Sequence, residues 1–497
     1  MLFPALVVTA LLAGHAVADV SAFWQMTFPD GVPAIAKAVA VDTAGNTYVG
    51  GAKWPAGVTG SAVAVLTKFS SNGVPEWTYS ASGDSTAYPK LQEIRGVAIM
   101  KTSATTWDII VAGVLTTVTG AEDMWAARVT TAGREVWTWT YDSGVGSDGA
   151  NAVAVTPSGV AYVAGWAGNQ NWVSRLNGIT GAYIDSASFS IDTITASLAV
   201  TLDSVGNVYV GGQTSQSPGV AKPWVGVYPP GLVAPTWSHV LTNDWTATAF
   251  IGGVAVDSTG GAVYAVGGVT SAGRGEDILL AKLDLAGVVA WTYTVDGGGG
   301  RSDEGRACAL ASNGDLLIAG SKTRAAGTYS DLWAARMTSG RTFLWDYLVD
   351  GPAGTVDSGL GLAVDAQGVR VVGFLSDPGS PSPPRYYVAD LVESSTTLTT
   401  SDGPTVPRAS PNPFRPGRGG PFDASSITFR SLPAGSAVRV YTLAGELVAD
   451  LKDDNSDGLV VWDAKNSSGK DAVAGVYLFV VDPGQGAVTR GKVVIIR

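Results

Sequence analysis

The chain has 497 residues, a formal net charge of −11, 64 glycines and only 15% charged residues. So acidic and sparsely charged a surface excludes nucleic acid as a partner, because phosphate binding needs a basic face. With Cys308 the single cysteine and His15 and His239 the only histidines, an intramolecular disulfide, a Cys/His zinc site and a Ser-His-Asp triad are excluded as well.

In chain order, residues 1–18 are an apolar run ending in Ala16-Val17-Ala18, an A-x-A cleavage pattern. A signal peptide is expected there, the alternative being a buried first strand. No later apolar run approaches the ~18–20 residues of a membrane span. The mature protein is therefore expected to be secreted or held at the outer cell surface, as a monomer.

From residue 22 a unit of four β-type runs repeats. Its clearest copy is 252–295, where GVAVD, AVYAVGG, DILLAKLD and VVAWTYTV are separated by Gly-, Ser- and Asp-bearing turns. The residues ending the first run are Asp42, Met100, Thr156, Asp203, Asp257, Ala311 and Asp365, so seven copies follow one another at intervals of 47 to 58 residues. The fourth run carries Trp77, Trp137, Trp237, Trp291 or Trp345; copy three has the divergent AYIDSAS, and copy seven has no fourth run. The missing strand is expected from residues 22–28, around Trp24, because an open ring would expose two sheet edges. The predicted fold is all-β, a seven-bladed β-propeller over residues 19–395.

The copies VAVDTAGNTYVGG (39–51) and VTLDSVGNVYVGG (200–212) resemble the bacterial β-propeller repeats called SBBP repeats. That resemblance, carried by repetition across residues 22–393, implies a propeller fold and an extracellular setting.

In such a meander the first-to-second and third-to-fourth turns share one face and are short here. The other face carries the long, varied loops 81–95, 142–152, 242–253, 269–276, 296–306 and 320–330, and is expected to be the binding face. Asp148, Asp303 and Asp357 each stand five residues before an apolar strand position. They read either as an acidic rim around the central channel, fit for a cation or sugar hydroxyls, or as caps on loop backbone. Glu304 and Arg306, with Glu93 and Arg95, lie in or beside equivalent loops. Trp54, Trp107, Trp166, Trp172 and Trp245 fall outside the fourth-strand slot, and of these Trp54, Trp166 and Trp245 are candidate stacking platforms.

Residues 396–420 are a Pro/Gly/Ser-rich linker. Beyond it, SITF, AVRVY, LVADL, LVVW, VYLFVV and KVVII predict a small β-sandwich over 421–497. SPNPF (410–414), VYTLAGELVADL (440–451), WDAKNSSGKDAVAGVYLFVV (462–481) and the terminal GKVVIIR resemble the Ig-like C-terminal domains related to the flagellar hook-capping protein and the sorting domains of type IX secretion cargo. That resemblance implies export or surface attachment through the secretion machinery. Within this region Asp453, Asn455 and Asp457 match the opening of a calcium loop, although Ala464 stands where a bidentate Glu is needed; a polar hairpin loop is the other reading.

Two functions remain open from sequence. One is a propeller that binds an extracellular glycan or protein ligand; the other is a carbohydrate-active enzyme working through carboxylates on the same face. Ca²⁺ is the only cofactor the residues suggest.

Overall fold

The computed structural model describes residues 20–497 apart from 28–32, 55–61, 82–91, 104–105, 117–120, 169, 190–193, 216–219, 242–247, 271–274, 298–301, 324–328, 352–354, 366–367, 377–383, 394–406, 411, 413, 418–424, 431, 434, 455–457 and 485–487. The expected signal peptide, Trp245, Asn455 and Asp457 lie outside the described residues.

Seven antiparallel four-stranded sheets form from residues 34–80, 92–141, 148–189, 194–240, 249–295, 304–349 and 358–393, and are called blades 1 to 7 in that order. The innermost strand of each blade adjoins that of the next, and blade 7 adjoins blade 1, so the ring is closed. Blade 7 receives its fourth strand from Val20–Thr27, which pairs antiparallel with Arg385–Glu393. Second and third strands are buried on both faces, as in Trp107–Thr116 and Glu122–Thr130, and read as continuous apolar runs. Fourth strands such as Glu135–Tyr141 border solvent and alternate.

The repeated Asp-x-x-Gly-Asn-x-Tyr is a turn staple on the short-loop side. Asp42 accepts the Ala44 and Asn46 amides through one oxygen, and the Asn46 side-chain amide and Tyr48 hydroxyl through the other. Asp203 repeats this on Val205, Asn207 and Tyr209.

The fourth-strand tryptophans clamp each blade to its successor. Trp77, Trp137 and Trp237 donate their indole N–H to Thr131, Gly178 and Leu285 carbonyls of the next blade's third-to-fourth turn, at 3.0, 2.9 and 2.8 Å. Each ring covers a positive-φ glycine of that turn: Gly133, Gly181 and Gly287. Trp24 covers Gly73 in the same way across the closure between blades 7 and 1. Trp291 meets Arg341 instead, itself at φ 70°, with the guanidinium 5.9 Å from the ring. Trp345 donates to Glu393 at 2.6 Å. Blade 3 lacks the tryptophan, and there Arg175 pairs with Asp185 and donates to the Pro230 carbonyl of blade 4.

Residues beyond 407 form two facing sheets. One orders Arg408–Ser410, Ile427–Arg430 and Val460–Trp462; the other orders Leu447–Lys452, Ala437–Thr442, Gly475–Asp482 and Thr489–Ile495. Phe429, Phe479, Trp462 and Tyr477 fill the space between them. This unit inserts Arg430, 2% exposed, into blade 7. Its guanidinium pairs with Asp390, which also holds the fully buried Arg370, and lies 3.6 Å from the Phe23 ring on the closing strand. Burial, with Arg370 close by, pulls the Arg430 pKa down to about 10 despite Asp390.

The clamp predicts a graded cost for alanine at turn glycines. Gly261→Ala, at φ 67° with open space around it, carries only the left-handed backbone term of about 1–2 kcal/mol. Gly73→Ala adds a Cβ 2.4 Å from the Trp24 ring, so its thermal midpoint should fall clearly further. Equal midpoints for the two variants would contradict the clamp.

Candidate functional site

The second strand of every blade ends its apolar run with a glycine that the geometry requires. A Cβ on Gly51, Gly113, Gly165, Gly212, Gly267, Gly320 or Gly373 would lie 1.8–2.0 Å from a first-strand carbonyl oxygen. The close approach comes from a β-bulge at the same place in all seven first strands. A bulge leaves one residue out of the ladder and re-aims its side chain. The residues left out are Lys37, Arg95, Asn151, Leu198, Gly252, Arg306 and Leu360, and all seven line one cavity of about 370 Å³ on the propeller axis. First strands run from the between-blade loops towards the Asp turns, and the bulge falls in the earlier half, which places these residues towards the long-loop face.

The lining is divided. Blades 1 to 3 supply a polar arc. Glu93, 4% exposed, binds Lys37 at 2.8 Å and Arg95 at 2.7 Å. Burial raises the Glu93 pKa, but the two cations outweigh it and hold the carboxyl below its usual range. Arg95 also reaches Glu122 at 3.5 Å and lies 5.5 Å from the Trp166 ring centre. Asn151 accepts from Arg95 at 3.5 Å and donates to the Ser197 carbonyl at 2.8 Å. Blades 4, 5 and 7 supply Leu198, Gly252 and Leu360, an apolar arc. Arg306, from blade 6, interrupts this arc between Gly252 and Leu360, paired with Glu304 and 4.7 Å from the Phe250 ring centre. Burial and the neighbouring Glu304 push the Glu276 carboxyl up to about 7.

Of the residues singled out from sequence, Arg306 lines the cavity, Glu304 is bound to it, and Trp166 stacks on a lining residue. Trp54 is half-buried and lines no part of it. Asp148, Asp303 and Asp357 do not form an acidic rim: each is 0% exposed. Asp148 accepts from the Ser143 and Gly168 amides, Asp303 from Gly297 and Thr323, and Asp357 from Gly351 and Ser376. A carboxylate with two backbone amides to satisfy turns towards its loop and away from the channel. Asp453 behaves alike, 2% exposed and accepting the Gly435 and Gly458 amides.

Lys37, Asn151 and Glu122 were missed, and a spacing signal could have found the first two. The lining residue always stands five positions before the residue that ends the first run: Lys37 before Asp42, Arg95 before Met100, Asn151 before Thr156.

No family model matches the chain, and no curated protein matches it in sequence. Among solved structures it is similar to PorZ, an essential surface component of the type IX secretion system of Porphyromonas gingivalis, at 14% identity and a TM-score of 0.45, covering 92% of this chain and 59% of that one. It is similar to the WD40 domain of Toxoplasma gondii coronin at 10% identity and 0.45, covering 77% and 90%. It is also similar to the Dos1 propeller at 9% identity and 0.45, covering 74% and 95%. Among the described residues no helix is long and apolar enough to cross a membrane.

Glu93→Gln should lower stability by about 2 kcal/mol, because it removes the carboxylate that Lys37 and Arg95 share and leaves Arg95 only the longer contact to Glu122. The sign with pH follows from the lowered pKa of Glu93. Its contribution is present above the ordinary value of 4.5 and is lost as pH falls through the lower folded value. Chemical denaturation at neutral pH and in acid checks both, and the difference between wild type and variant should shrink in acid.

Proposed function

We propose that this β-propeller is a secreted or surface-displayed binding module that takes an extracellular glycan bearing an acidic group at the long-loop mouth of its axial cavity. The observation carrying this reading is the convergence of seven bulge residues, with Lys37, Arg95 and Asn151 opposed to an arc of Leu198, Gly252 and Leu360 that Arg306 interrupts. Sugars present hydroxyl edges and apolar faces together, and such a divided wall suits both; guanidinium groups suit a carboxylate. A cavity of about 370 Å³ is at the small end for ligand sites, so it suits one sugar unit with the rest of the chain crossing the face. The SBBP-like motifs support an extracellular setting. The two-sheet unit after residue 407, read as Ig-like, would serve export or anchoring through the secretion machinery.

Binding is favoured over hydrolysis because the carboxylates beside the cavity are already committed. Glu93 and Glu304 each hold the cation two residues further on, so both serve as ion-pair partners.

The test is a glycan array probed with the full-length chain, followed by titration of any hit. Arg95→Ala and Arg306→Ala should each weaken binding by about tenfold or more, the loss expected for a charge-assisted contact. Binding of no glycan, or binding by both variants as tight as that of the wild type, would overturn the reading. Release of reducing ends from a bound polysaccharide would favour the enzyme.

A further inference from the structure

Two Glu-x-Arg units bring an arginine to the axial cavity, Glu93-Ile94-Arg95 in blade 2 and Glu304-Gly305-Arg306 in blade 6. In each, the bulge turns the arginine to the cavity and the glutamate pairs with it. The charge that neighbours add to the two pairs differs in sign. Blade 1 adds a cation to the first, since Lys37 shares Glu93 at 2.8 Å. Blade 5 adds a carboxylate to the second: Glu276, which opens the strand Glu276–Asp284.

Glu276 lies behind Arg306 and is not itself part of the cavity wall. A Cβ on Gly268 would meet its Oε1 at 2.3 Å and the Phe250 ring at 2.8 Å, and that ring lies 4.7 Å from the Arg306 guanidinium. Carboxylate, ring and guanidinium are thus packed together. Among the described residues Glu276 makes no ion pair or hydrogen bond through its side chain, and the charges acting on it are Glu304 and Arg306. The rest of its own blade brings none: the first and second strands present Phe250, Gly268 and Thr270, and the fourth ends at Val295. Asp303 offers Glu276 a backbone amide, while its carboxylate is taken by Gly297 and Thr323. Asp277 and Asp296 gather with Asp303, and Lys322 turns to Asp346 at 3.5 Å. When Glu276 is ionised, one guanidinium therefore faces two carboxylates; when it is protonated, the charges balance.

Resting on the reading that an acidic glycan binds at this mouth, we infer that Glu276 is a proton-linked gate on Arg306, so that the glycan binds more tightly when Glu276 carries a proton. A carboxylate placed against Arg306 repels an ionised Glu276, and by reciprocity its binding draws a proton onto that residue. Burial and Glu304 set the exchange at about 7. Glu276 is a positioning residue here, acting through the arginine without touching the ligand.

Calorimetric titration of the full-length chain with a short galacturonic acid oligomer tests this at about pH 6 and about pH 8, either side of the exchange. Wild type should bind about fivefold more tightly at the lower pH, and Glu276→Gln should bind alike at both. A readout without ligand accompanies it. The wild type should lose thermal stability relative to Glu276→Gln as pH rises from 4.5 towards 7, because a carboxyl of raised pKa keeps its proton longer when folded. Equal wild-type affinity at the two pH values, or the wild-type slope retained in Glu276→Gln, would overturn the gate and leave the glycan reading standing. Absence of wild-type binding at both pH values would overturn the two together.

Discussion

A carbonyl oxygen pressed against a hydrogen, where every other residue would put a carbon, sets the geometry of this propeller. Each second strand must offer glycine opposite the bulge, because 1.8–2.0 Å leaves no space for a side chain. The bulge in turn lifts one residue per blade out of the ladder and presents it to the axis. A repeat motif, a backbone irregularity and the wall of the cavity are thus one feature seen at three scales. Glycine at that position is also what frees the lining residue to vary, since its identity has no part in keeping the strands paired. Lysine, arginine, asparagine, leucine and glycine all occupy it.

Holding the blades together is a separate task with separate residues. The tryptophan of one fourth strand covers a turn of the next blade, its N–H meeting a carbonyl that the turn leaves open. Where the sequence departs from this, a charged group takes over: Arg341 against Trp291, Glu393 below Trp345, and the Arg175–Asp185 pair in blade 3. The seam tolerates such exchange because all three solutions satisfy the same requirement, a flat or forked group lying across exposed turn backbone.

Much of this architecture was legible in the residues. Strand alternation and turn chemistry are local, so the seven copies, the closing strand around Trp24 and six of the later strands could be placed, whereas Arg408–Ser410, inside the span read as linker, pairs with Ile427–Arg430. The candidate site was less legible, for two physical reasons. A bulge shifts register by one, which reverses the face that every residue before it presents, and no local propensity marks where the shift falls. Lys37 and Asn151 therefore looked like ordinary strand positions. An aspartate in a loop, for its part, serves backbone amides as readily as a channel, and Asp148, Asp303 and Asp357 took the backbone.

The arrangement around Asp390 bears on how the molecule is put together in time. Val20–Thr27 pairs with Arg385–Glu393, so this strand waits for almost the whole propeller to be made before it has a partner. Arg430 reaches that same blade from further still, resting on Phe23 and Asp390 together. Such distant pairings are the slowest to form, since the loop they close is the longest in the chain. Six blades can mature in order as they emerge, while the seventh draws on segments before blade 1, after blade 6 and beyond the propeller, and is the last to set.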